Sequence, residues 1–346
     1  ALLSALVGPV WFFIDPFSTL HDIIGALGRR VGLRGAAPRR YPAALGIWPA
    51  VAGFGFFVWL ELVGRVEGGR TLGLVMIGYT LIALAGMFYF GRDTWRRQAE
   101  VFGVWFGLLG RLAPFALDGP PEAGIVRRRA FGAGLAEGGW NRAQLVLLTL
   151  GTGAIIYDGL SQTEIYSQLF GRPDFFGQAQ VALGTLLAGA FMAAVLALAL
   201  GVAMRVGTAA TGAGLLPVAV GYLVAHYIVF LLVEGQRIVH ALNDPLQQGD
   251  NLLPFDLGFY EPVLFLPTAL VWTVQLAAVV GGHVVGAWAG HLAMPGGATR
   301  REPLRQVPLA ALMVLFTSVT LWSLGQAVLM EPEARRLVDG LAILAR

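Results

Sequence analysis

The sequence contains no cysteine and no lysine; all 24 basic residues are arginine. Without cysteine there is no disulfide framework, no thiolate zinc site, no cysteine-ligated cluster and no covalent c-type haem. Without lysine there is no Schiff base, which removes retinal-type and pyridoxal chemistry. Charge is scarce: charged residues make up 13% of the 346, against about 25% in a soluble domain. Histidine is limited to five residues. A P-loop, a G-x-S-x-G nucleophile elbow and an H-E-x-x-H zinc motif are all missing. The glycine clusters GTGAII (151–156) and GAGLAEGG (132–139) do not fit a dinucleotide fingerprint. Nothing reads as a soluble domain, a nucleic-acid motif or an internal repeat.

What fills the chain instead is apolar. Hydrophobic residues are 56% of it and glycine contributes 47, with a mean hydropathy of +0.69. Runs of about 20 apolar residues, long enough to span a bilayer core, occur at 42–64, 71–90, 144–160, 179–204, 212–234, 262–291 and 307–330. The chain begins at Ala1 rather than Met and reads as processed or truncated, with 1–14 as a partial further span. Residues 17–33 (FSTLHDIIGALGRRVGL) are amphipathic and predict an interfacial helix, as does 101–117, broken by Arg111 and Pro114. Residues 118–143 read as a polar loop and 331–346 as a short amphipathic tail. The expected fold is all-α: one integral membrane domain over 1–346, a polytopic transmembrane helical bundle of about seven to eight spans with interfacial amphipathic helices.

Arginine sets the expected orientation. Residues 15–41, 91–143, Arg205 and 295–306 hold 17 arginines; 65–70, 161–178, 235–261 and the tail hold 7. The first set, with the segments 15–41 and 91–143, is predicted cytoplasmic, and the 331–346 tail lies on the outer side. Acidic residues lean the other way, 8 against 13 when Glu61, Asp158 and Glu234 are counted with the outer set. Trp and Tyr near span ends, such as Tyr41, Trp48, Trp59, Tyr157 and Tyr260, predict interface anchors.

Titratable groups at membrane depth cost roughly 2.5–3.5 kcal/mol each on insertion scales, so they mark function by default. The stretch GYLVAHYIVFLLVEGQRIVH (221–240) carries several. At 100° per residue on an uninterrupted helix, Arg237 falls within about 20° of His226, His240 and Tyr222 within about 40°, and Glu234 about 80° away. Glu61 in FFVWLELVGR and Asp158 in AIIYDGLSQT end on the same outer side. The expectation is that Glu61, Asp158, His226, Glu234, Arg237 and His240 converge on one outward-facing polar site. Imidazole plus carboxylate suits a divalent metal ion, with Glu61, Asp158, His226, Glu234 and His240 as its ligands. Such a metal activates water for hydrolysis. A structural ion-pair network around Arg237 is the other reading, because side chains at helix ends often snorkel.

The sixth span contains GGHVVGAWAGH. Gly282, Gly286 and Gly290 form a small-xxx-small face for close helix contact, flanked by His283 and His291. Either histidine is a candidate axial ligand for a b-type haem; the alternative is a histidine bonded to a neighbouring backbone carbonyl. At 1.5 Å per residue, His226 lies about 12 Å below the outer end of its helix and His283 about 30 Å below its own. One ion is therefore not expected to be shared by both.

The segments YPAALGIWPAVAGFGFFVWLELV, YDGLSQT, GYLVAHYIVFLLVEGQ and GHVVGAWAGH resemble those of bacterial integral membrane proteins known as fenitrothion hydrolase-like. The likeness runs from about residue 10 to 330. It implies an all-helical multi-pass protein of the bacterial inner membrane, and its name implies hydrolysis of a phosphotriester. Three functions are weighed on this footing. One is a membrane subunit that binds a metal or haem through buried histidines and docks to other membrane subunits. The second is a metal-dependent hydrolase of phosphotriester-type substrates. The third is a metal-ion or small-molecule transporter, against which stands the lack of an inverted repeat.

Overall fold

The computed structural model describes residues 1–32, 37–64, 69–119, 124–137, 139–170, 177–245, 248–249, 251–253, 262–294 and 303–329. The chain is an all-α helical bundle, and among the described residues six helices are long and apolar enough to cross a membrane. They are α5 (Gly69–Phe90), α8 (Arg142–Ser161), α10 (Gly177–Val206), α11 (Thr208–Val233), α13 (Thr268–Leu292) and α14 (Pro303–Leu329). A shorter apolar segment, Trp48–Gly64, corresponds to the expected span 42–64. It consists of α4 (Trp48–Trp59) followed by a π-helical turn, Leu60–Gly64. The bilayer is thus the solvent for most of this surface, which is why Leu74, Ile82, Leu186, Phe230, Val284 and Trp288 stand exposed. The expected tail at 331–346 lies outside the described residues.

The core is built around α8 and α11. Leu145, Leu147, Leu148, Leu215, Leu216 and Tyr222 are wholly buried. A reciprocal capping box starts α8: the Asn141 side chain accepts from the Gln144 amide (2.9 Å), and the Gln144 side chain accepts from the Asn141 amide (3.0 Å). Helices in lipid gain little from hydrophobic transfer and associate through close packing instead. The predicted Gly282–Gly286–Gly290 face supplies that packing by lying directly on α11. A Cβ on Gly282 would stand 2.6 Å from the carbonyl oxygen of Pro217, and one on Gly221 would stand 2.5 Å from that of Ala278.

Three expectations are corrected. Residues 1–14 do not form the end of a straight span. They make two short helices, α1 (Leu2–Leu6) and α2 (Trp11–Ile14), broken at Gly8 and Pro9. Gly8 has φ +148, and its Cα packs so tightly that a Cβ would stand 2.5 Å from the Phe115 carbonyl oxygen. Residues 101–117 do not lie along an interface. Helix α7 (Val101–Leu109) enters the core with Val104, Trp105, Leu108 and Leu109 buried; it has no polar face to turn to water. Finally, 118–143 is not simply a loop. Strands β1 (Phe115–Asp118) and β2 (Ile125–Arg128) pair antiparallel in the register Phe115–Arg128 to Asp118–Ile125. Arg129 ties this hairpin down, donating to the carbonyls of Ala113 (3.0 Å) and Gly110 (2.7 Å) and to Glu137 (2.7 Å). The amphipathic helix α3 (Pro16–Arg30) is present where expected.

Two outcomes follow from these contacts. Gly282→Val forces α13 away from α11 and is expected to lower stability by about 1–3 kcal/mol, the usual cost of overpacking, read as a lower unfolding midpoint in detergent. Hydrogen bonding to Arg129 holds the Glu137 carboxyl below its ordinary range. Its stabilising contribution is therefore complete above the unfolded carboxyl's pKa of about 4.3 and fades as pH falls through the lower folded value. Glu137→Gln should flatten the acid limb of a stability–pH curve and leave the neutral limb parallel to wild type.

Candidate functional site

A short polar contact inside the bundle joins two of the predicted residues. Asp158 lies near the C-terminal end of α8 and His226 lies in the second half of α11. The Asp158 Oδ2 to His226 Nε2 distance is 2.7 Å, and the two side chains are only 25% and 16% exposed. Gln162 donates to the other carboxylate oxygen at 3.1 Å. A carboxylate accepts only, so Nε2 carries the proton in this contact and Nδ1 is the basic nitrogen of a neutral ring. Among the described residues no hydrogen bond engages Nδ1.

The next residue along α11 reaches a different helix. Tyr227 donates its hydroxyl proton to Glu61 Oε1 at 3.0 Å. Glu61 sits in the π-helical turn that ends the α4 segment; such turns occur most often at functional sites. Trp59, just before the turn, donates to Thr185 of α10 at 3.0 Å and fixes its position. Successive residues diverge by about 100° on a helix, so His226 meets α8 and Tyr227 meets α4 from one turn of α11. Their rings are edge to face at 4.7 Å. Below Glu61 and Tyr227 lies a cavity of about 370 Å3 walled by Phe54, Phe57, Phe102 and Trp105.

The remaining predicted residues stand elsewhere. Glu234 pairs with Arg237 at 2.5 Å on the exposed surface, and His240 lies on the separate short helix α12 (Arg237–Asn243). A 3-10 turn at Glu234–Gln236 ends α11, and its tighter winding turns Arg237 off the predicted face. The five proposed metal ligands are thus spread over Asp158–His226, Glu61–Tyr227, Glu234–Arg237 and His240. No group of three or more His, Asp or Glu able to hold a metal is found among the described residues. His283 donates from Nδ1 to the Val279 carbonyl (2.6 Å), and its Nε2 faces Tyr222, Met313 O and the Thr317 hydroxyl. This is the backbone-bonded arrangement, and it leaves neither ring nitrogen free to ligate haem. His291 Nδ1 faces the Gln306 side chain.

A second buried polar cluster was not anticipated. Helix α6 (Arg92–Gln98) folds back along α5: Trp95 stacks on Phe90 at 5.8 Å, and further up Tyr79 donates to Glu100 at 2.5 Å. Glu100, 1% exposed, also accepts from Trp11 Nε1 (3.2 Å) and from the amides of Phe102 (2.9 Å) and Gly103 (2.5 Å), so it caps α7. Beside it, Asp15 caps α3 through Phe17 N (2.9 Å) and lies 3.2 Å from the Arg96 guanidinium, which donates to the Phe12 carbonyl at 2.8 Å. The sequence signal was present but short: D-P-F-S, an N-cap followed by N1 proline, and the acidic residue of AEVFG before an apolar run.

Removing one partner of a buried ion pair typically costs 3–5 kcal/mol. Asp15→Ala is expected to approach that loss in thermal unfolding, whereas Asp22→Ala, which breaks a more exposed pair with Arg92, should cost no more than about 1 kcal/mol. Compared with known proteins, the chain matches no family model, no curated protein and no solved structure.

Proposed function

We propose that this multi-pass membrane protein is a hydrolase of phosphotriester-type esters in which Asp158 and His226 form an acid–base dyad. The observation that carries the reading is the 2.7 Å contact between them, with no hydrogen bond to the second imidazole nitrogen among the described residues. The carboxylate fixes the tautomer and stabilises the imidazolium when it forms, as in other carboxylate–histidine pairs. Nδ1 takes a proton from a water whose oxygen bonds to phosphorus. The leaving alkoxide or phenoxide departs with the phosphorus–oxygen bond electrons and recovers that proton from the imidazolium. The Tyr227 hydroxyl has one proton, donated to Glu61; turned from that carboxylate to the substrate, it becomes a donor for the oxygen that gains charge.

A metal-dependent version needs three or four converging protein ligands. Among the described residues the candidate donors come as pairs on different helices, which favours proton transfer over metal activation. The haem-subunit reading draws less support, because both nitrogens of His283 already face protein groups. We assign the Arg-rich side to the cytoplasm of a bacterial inner membrane by the positive-inside rule, so the dyad serves the outer half of the bilayer.

The test uses the purified chain in phosphatidylcholine vesicles with a dialkyl p-nitrophenyl phosphate. Asp158→Asn and His226→Gln are each expected to lower kcat by about 10²–10⁴-fold, the range of general acid–base contributions, with turnover insensitive to EDTA. Equal turnover in wild type and both variants rules the dyad out. Loss with EDTA and recovery with a divalent cation replaces it with the metal version.

A further inference from the structure

Two cavities meet at α4. The first, about 450 Å3, lies between α4 and α5, with Tyr79 and Glu100 among its lining residues. It opens between Phe56 and Ile82, which are 50% and 62% exposed on apolar helix faces. The second is the chamber of about 370 Å3 beneath Glu61 and Tyr227. Phe57 and Val101 line both. The partition between them is therefore thin: the Phe57 ring, 5.1 Å from Tyr79 and 5.5 Å from Phe102, and the Val101 side chain at the apex of the α6–α7 turn. Each volume lies in the range of small-molecule sites, about 300–1,000 Å3, and each has the mostly apolar wall with a few polar groups that such sites show.

The slot is kept open by what its walls lack. Around Gly78 on α5, no atom lies within 4 Å of where a Cβ would stand. On the opposite wall Gly53 lets α4 approach Val101; a Cβ there would be 2.6 Å from Cγ2. The slot is thus bounded on the inside by protein and on the outside by the hydrocarbon of the bilayer. A water-soluble ester gains nothing from that route. An ester carrying long alkyl chains is already dissolved on its outer side.

We infer that the substrate of the dyad is a long-chain amphiphile that enters sideways from the bilayer through the α4–α5 slot and reaches the chamber by displacement of the Phe57 ring. This rests on the acid–base reading above. The alkyl chains occupy the slot, and the polar phosphoryl group comes to Tyr227, Glu61 and the adjoining dyad.

Two readouts test it, one of them independent of turnover. The first is the ratio of hydrolysis rates for dioctyl against dimethyl p-nitrophenyl phosphate in phosphatidylcholine vesicles. Gly78→Trp, which fills the slot, is expected to lower that ratio at least tenfold. Gly189→Trp, on the exposed face of α10 with equally open space, should leave the ratio at its wild-type value. The second is photolabelling with a trialkyl phosphate bearing a mid-chain diazirine. Val101 is only 3% exposed and shielded from bulk lipid. It should be labelled in wild type and Gly189→Trp and spared in Gly78→Trp, while Phe57→Ala should extend labelling to Ile155 and Tyr227. An unchanged rate ratio, or equal labelling of Val101 with and without the tryptophan plug, overturns lateral entry. If wild type hydrolyses neither ester, the acid–base reading fails by itself, and the labelling pattern still decides whether the slot admits an amphiphile.

Discussion

The architecture depends on how one chain reversal is satisfied away from water. Between α6 and α7 the backbone leaves the helical ladder, and the first amides of α7 have no helical acceptor. In hydrocarbon each such group costs several kcal/mol, so irregular backbone survives there only where it is buried in protein. Glu100 answers that requirement with a single carboxylate that accepts from two amides, a tyrosine and a tryptophan. Because the turn is held, α7 can run into the core and set Phe102 and Trp105 behind α4. Those two rings are walls of the chamber under Glu61 and Tyr227. The buried carboxylate thus shapes the cavity beneath Glu61 and Tyr227.

What could be read from the sequence followed from length and periodicity. Six of the seven predicted spans coincide with long apolar helices, since a run of 20 apolar residues has few alternatives. The glycine face of α13 was legible too, because a four-residue spacing of the smallest residue has one common use in lipid. Asp158 and His226 were legible as costly residues, and the structure puts them in contact. Their partners were not. Arg237 seemed to share a face with His226 only while the helix was assumed to continue; three residues of 3-10 winding remove that geometry. Arg96 and Glu100 belong to the charge-rich run 92–100, where a solvated role is the default, and Asp15 is a lone acid after an apolar run, with no partner nearby in the sequence. Their burial is a tertiary fact set by α2, α3, α5 and α6 together. The same holds for 101–117, in which Arg111 and Pro114 drew attention to an interface although the preceding nine residues form a buried helix.

Helix α11 concentrates the candidate chemistry within one turn. His226 looks to α8 and Tyr227 to α4, so the relative positions of these two helices fix the relation between the proposed dyad and donor. The two contacts differ in kind. Asp158–His226 is a partly buried carboxylate–imidazole pair, stronger for being removed from water. Glu61–Tyr227 is more open and sits on a π-turn, a local winding less stable than α. A site with one firm and one compliant contact can hold its base in place while its hydroxyl donor adjusts to the reacting group.

His226 and His283 differ in environment rather than residue type, and that difference separates the proposed base from a histidine tied into helix packing. Both lie in apolar helices, and both have one ring nitrogen in a short hydrogen bond. The Nδ1 of His283 is tied to the carbonyl one turn back and its Nε2 meets the hydroxyl of Thr317, so the ring bridges α13 to α14 and has no proton chemistry to offer without breaking a helix contact. Among the described residues His226 is hydrogen-bonded through Nε2 alone, to a carboxylate that can stabilise a positive ring. Proton transfer at His226 therefore leaves the packing of α8 against α11 intact and tightens the pair as charge develops. That asymmetry is why the proposal rests on the Asp158–His226 pair and not on the glycine-flanked histidine.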